Sequence, residues 1–136
     1  MTQRGELLEM AKRMVEAAEK KAIEINVPMV ISVVDAGGNL VLLHRMEDSL
    51  LASLEISPNK AFTAASLKMP SATVKELAVE GAELQGIAVQ HAGRIVEFGG
   101  GFPLFDADGK LLGGLGVSGG SVAEDCSVAQ AGLDAR

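Results

Sequence analysis

Nine glycines fall between Phe98 and Asp125, in FGGGFPLFDADGKLLGGLGVSGGSVAED. This span limits the fold more than any other. Gly reaches backbone conformations closed to other residues and lets a neighbour lie directly on the main chain. It also loses more entropy on folding, so such density has a structural or functional reason. The clusters at 99–101, at 113, 114 and 116, and at 119–120 separate two short apolar runs and a helix start. Tight turns and close packing are the first reason. A ligand lying against bare N–H groups at Gly100, Gly101, Ser118, Gly119, Gly120 and Ser121, beside a helix N-terminus, is the second.

The remaining chain supplies helices around this span. Leu7, Met10, Met14, Ala18, Ala22 and Ile25 recur at helical spacing, predicting a helix over Glu6–Ile25 that Asn26 and Pro28 stop. Met29–Asp35 is apolar and β-branched, as in a strand buried on both faces. The Ala36–Asn39 turn joins it to Leu40–His44 as a hairpin. Ser57-Pro58 reads as a helix start, with a helix to Lys68, although Leu50–Ile56 is helix-compatible too. Ser71 caps a short helix that turns Val74, Leu77 and Ala78 inward. The stretch from Gly81 to Gly93 is broken helix or loop. Arg94–Phe98, Phe102–Phe105 and Leu111–Ser118 read as three strands, with Pro103 favouring an edge. Ser121–Glu124 is a capping box for a last helix with Val122, Cys126, Ala129 and Leu133 inside. The expected architecture is one α+β domain over residues 1–136, with about five antiparallel strands and helices packed on them.

Bulk chemistry narrows the partners. A net charge of -6 and no basic run argue against nucleic acid and against an anionic membrane surface. No apolar run is long enough to span a bilayer. The single cysteine, Cys126, excludes an intrachain disulfide. With Thr2–Lys21 charged throughout, it favours a cytoplasmic setting.

Four stretches in order, VVDAGGNLVLLHRMEDS, NKAFTAASLKMP, FGGGFPL and LLGGLGVSGGSVAED, resemble the GlcG/HbpS-like family of haem-binding or haem-associated proteins. The same domain forms the C-terminal part of PduO-type corrinoid adenosyltransferases. The resemblance spans about Glu6–Leu133. It implies a profilin-like fold, self-assembly into tetramers or octamers, haem or a corrinoid as ligand, and a link to glycerol or diol metabolism. Asn39 stands where the family often has a histidine, so an iron ligand is absent there. The nucleotide chemistry of the adenosyltransferases is not carried over.

The residues able to act follow from this. His44 and His91 are the only histidines and the candidates for haem iron; each also reads as a solvated histidine. Arg45 and Asp48 form a charged corner after the second strand. Arg45 can clamp a carboxylate or pair with an acid of its own chain. Lys60 is a second anion contact or a solvated helix lysine. Gly116–Gly120 matches G-x-S-x-G, but no histidine follows Ser118, so a hydrolase elbow is not expected. Cys126 reads as a structural thiol, with a haem thiolate the sharper alternative. The leading expectation is a binding module for a tetrapyrrole. The alternatives are an enzyme acting on a small hydroxy- or dicarboxylic acid held by Arg45 and Lys60, and a structural oligomeric subunit.

Overall fold

The protein is described from a computed structural model that covers residues 6–136. In chain order the elements are α1 (Glu6–Glu24), β1 (Val30–Asp35), β2 (Leu40–Arg45), α2 (Ser53–Leu67), α3 (Ser71–Ala78), β3 (Gly101–Phe105), β4 (Leu111–Ser118) and α4 (Val122–Asp134). Short 3-10 turns at Ile87–Val89 and His91–Gly93 occupy the loop expected between Gly81 and Gly93.

The strands form one antiparallel sheet in the order β2-β1-β4-β3. β1 is central and its Val30–Val34 are all buried, as its apolar run requires. Alternation sends Ile31 and Val33, with Leu115 and Val117 of β4, into the main core beneath α1 and α4. It sends Ser32 and Val34 towards α2, which packs through Ser57, Ala61 and Ala65. The sheet is therefore sandwiched between two helical layers.

α1 ends as its sequence predicts. Asn26 takes a positive φ of 59°. Its N–H donates to the Ile23 carbonyl, and that of Val27 to the Ala22 carbonyl, at 3.0 Å each. This is the Schellman closure that lets Asn replace Gly.

Three expectations are corrected. Arg94–Phe98 is not a strand, so the sheet has four strands among the described residues and not about five. Its backbone pairs instead with a side chain of α2: Val96 N–H donates to Thr63 Oγ1 at 2.9 Å, and that hydroxyl donates to the Arg94 carbonyl at 3.2 Å. α2 starts at Ser53, not at Ser57, and runs through Pro58, taking in much of the Leu50–Ile56 stretch that is helix-compatible. Pro58 removes one intrahelical bond, while the buried Ser53 and Ser57 tie that turn to the sheet. On α4 Ala129 is buried and Leu133 packs half-buried against the core as expected, but Val122 is exposed and Asp125, Val128 and Gly132 complete the buried face.

Candidate functional site

The glycine-rich span and α2 meet face to face. Ser53, Ser57 and Lys60 recur at helical spacing on the sheet-facing side of α2. Ser53 Oγ bonds Ser118 Oγ at 2.9 Å, and Ser57 Oγ bonds both Ser32 Oγ at 2.8 Å and the Gly116 carbonyl at 2.9 Å. Gly116 is the point of closest approach. A Cβ there would lie 2.1 Å from the Ser57 carbonyl oxygen, so only glycine admits the helix. Gly101 and Gly114 lie under the same helix, against the carbonyls of Lys60 and Ala61. The bare backbone of these strands is covered by α2.

Lys60 sits at the end of this seam, fully buried, which corrects its reading as a solvated lysine. Its Nζ donates to Asp125 Oδ2 and to the Val117 carbonyl, at 2.8 Å each, and lies 5.1 Å from the centre of the Phe98 ring. Gly100, at a φ of +123°, leaves room for that ammonium: a Cβ would be 2.7 Å from Nζ. Burial lowers the pKa of Lys60, opposed by the hydrogen bond and charge of Asp125. Lys60 is thus a clamp joining α2, β4 and α4, and it is closed to a substrate anion.

The start of α4 is also filled from within. Asp125 Oδ1 accepts the Gly120 N–H at 2.8 Å. Ser121 and Glu124 form the predicted capping box. Ser118 is buried, Gly119 and Gly120 are half-buried, and only the Ser121 side of this turn is exposed. Cys126 lies beside Gly99, half-buried. Burial pushes its thiol pKa up, the reverse of what a thiolate ligand needs.

The histidines and the charged corner lie elsewhere. His44 and Arg45 end β2, an edge strand, where both are exposed. His44 Nδ1 is hydrogen-bonded to Glu19 of α1. An ionised carboxylate only accepts, so a hydrogen on Nδ1 fills this bond, and Nε2 makes no hydrogen bond among the described residues. Sequence reasoning missed Glu19, which looks like one more solvent-facing charge of α1. Arg45 shares its sheet row with Val30 and Ser118. It has no carboxylate partner among the described residues. Asp48, at a φ of 69°, borders a recess of about 240 Å³ with Met46 and Asn26. His91 is separate: its ring meets the edge of Phe62 at 5.5 Å, and Arg94 covers the face of that ring at 3.7 Å. No cluster of metal-ligating side chains occurs among the described residues.

Fold and site together define a small α+β domain whose glycines serve helix packing and whose exposed histidine stands on a sheet edge. The chain belongs to the HbpS-like family: residues 7–134 match the family described as haem degrading protein HbpS-like. It is 47% identical over 124 residues to an uncharacterized 15.0 kDa protein of the dhaT-dhaS intergenic region of Citrobacter freundii, covering 91% of this chain and 87% of that one. It is 42% identical over 123 residues to the corrinoid adenosyltransferase PduO of Salmonella typhimurium, covering 90% of this chain but 36% of PduO. The fold superposes on the crystal structure of a PduOC:heme complex with a TM-score of 0.91 at 40% identity, covering 94% of this chain and 92% of that one.

Proposed function

We propose that the protein is a single-domain binding module for haem or a related tetrapyrrole, with His44 as the protein ligand to iron. The carrying observation is the Glu19–His44 pair. A carboxylate on one ring nitrogen fixes the tautomer and orientation of an iron-binding imidazole and leaves the other nitrogen free to ligate. His91 has no carboxylate partner among the described residues, and its ring leans on Phe62.

The surroundings of His44 fit the group. Leu42, two residues before His44 on the same face of the strand, is half-buried and offers apolar contact. Arg45 follows directly but stands in the row of Val30, on the opposite face of the sheet, so it meets a propionate only where the ligand wraps the end of the strand. Asp48 and Ser121 are the other exposed members of the expected contact set. Lys60, Gly100, Gly101, Ser118, Gly119 and Gly120 act from beneath by holding the sheet and α4 in place. Bound haem would supply an iron centre held through His44.

The haem complex of PduOC and the family description support the ligand class. The PduO relative also supports a corrinoid alternative and, with the dhaT-dhaS relative, an accessory role in glycerol or diol metabolism. Helices on both faces of an antiparallel sheet support the profilin-like expectation. The domain acts in the cytoplasm as a tetramer or octamer in this reading. No helix among the described residues is long and apolar enough to cross a membrane.

A visible-absorption titration with hemin, and in parallel with cobalamin, tests the ligand class. A bound tetrapyrrole dominates the visible spectrum, where the side chains of this protein do not absorb. A saturable Soret shift with hemin is expected. A saturable change with cobalamin alone would move the reading to corrinoids, and no change with either would overturn it.

A further inference from the structure

We propose that the cavity between α1, the β3–β4 hairpin and the end of α4 is a second ligand site, suited to a small apolar carboxylate. It encloses about 510 Å³ against Leu7, Met10, Phe105 and Leu112, a volume in the range that holds small organic ligands. All four side chains are half-buried, so they offer a wall that is apolar yet reachable.

Two cations stand at this wall. Arg13 projects from α1, and Arg136 lies just beyond α4. Neither guanidinium has a carboxylate within 4.0 Å among the described residues. Arg136 is steadied by its Nη1–H, which donates to the Phe105 carbonyl at 2.9 Å, leaving its other donors available. Two acids also stand at the rim, each already engaged by its own chain. Asp106 Oδ1 already accepts the N–H groups of Asp108 and Lys110 at 2.9 Å each. Glu6 occupies the first turn of α1, where the helix dipole offsets its charge. An apolar wall flanked by two guanidiniums with no carboxylate partner among the described residues recognises a carboxylate carried on an apolar body, such as a medium-chain fatty acid or an aryl carboxylate.

The site is separate from the haem edge. Glu19, which holds His44, lies nine residues beyond Met10 on α1, about 14 Å along the helix axis. The inference therefore stands independently of tetrapyrrole binding.

Methionine methyl NMR on the full chain tests it, because Met10 reports from the cavity wall and the fully buried Met29 from elsewhere. Octanoate should shift the Met10 methyl saturably and leave that of Met29 in place. Octan-1-ol, with the same chain and no charge, should bind at least about tenfold more weakly. The Arg13→Gln/Arg136→Gln variant should lose about tenfold or more in octanoate affinity while octan-1-ol affinity stays the same. An unmoved Met10 methyl, equal affinity for acid and alcohol, or an unaffected double variant with a native spectrum would each overturn the proposal.

Discussion

Two regions of this molecule carry unusual residues, and they use them in opposite ways. Where α2 lies on the glycine-rich strands, the polar groups of Ser32, Ser53, Ser57, Lys60, Ser118 and Asp125 find partners in the same chain. At the β2 edge, His44 is held through one nitrogen only and Arg45 has no acidic partner among the described residues. A satisfied, buried set specifies the fold, because each member would be costly to leave unpaired. A half-satisfied, exposed set has capacity left for a ligand. Residue chemistry alone does not separate the two; partner accounting does.

Breaking the buried side should have the largest effect. Lys60→Met leaves Asp125 buried without its cation and should cost about 3–5 kcal/mol of stability by chemical denaturation. Lys60→Met/Asp125→Leu removes both charges and should recover most of that loss. If the double variant is no better than the single one, the pair is not the clamp described.

Gly116→Ala comes next. Its Cβ would meet the Ser57 carbonyl at 2.1 Å, and forcing α2 away should cost about 1–3 kcal/mol. Gly109→Ala is the contrast. Its Cβ meets nothing within 4 Å at a φ of +83°, so only backbone strain of about 1 kcal/mol applies. Equal losses in thermal melts would remove the close-packing account of these glycines.

A smaller effect is expected with pH. Burial lowers the folded-state pKa of Lys60 below its ordinary 10.5, so the unfolded chain binds that proton more tightly. Its contribution to stability is complete above 10.5 and is lost as pH falls through the lowered folded-state value. As pH rises towards 10.5 from below, the wild type should therefore gain stability relative to Lys60→Met/Asp125→Leu. A constant difference in denaturation midpoints across that range would contradict the burial assignment.

The smallest stability effect belongs to the open side. His44→Ala breaks an exposed pair and should change stability by less than about 1 kcal/mol. A larger loss in the same denaturation series would mean that the edge is also part of the fold's framework.

Periodicity and turn chemistry made much of this fold legible. The hairpin through Gly37-Gly38, the Asn26 stop and the Ser121–Glu124 box rest on interactions between near neighbours, and the β1 run at Val30 shows its burial in its composition. What stayed hidden depends on distant partners. Lys60 looks solvated until Asp125, 65 residues later, comes within 2.8 Å. The spacing of Ser53, Ser57 and Lys60, small polar groups and a lysine on one helical face, was the available signal. Arg94–Phe98 has the composition of a strand, yet Thr63 takes its backbone bonds. Glu19 gains meaning only because β2 returns His44 to α1. Arg45 and the histidines were visible as chemistry; which histidine was held ready was not.

Parallel hemin titrations of the wild type, His44→Ala, His91→Ala and Lys60→Met/Asp125→Leu would test the contrast most directly. We expect a saturable Soret shift in the wild type, in His91→Ala and in the folded double variant, and its loss in His44→Ala. A shift that survives His44→Ala, or that disappears when only the folded Lys60–Asp125 clamp is replaced, would contradict the account.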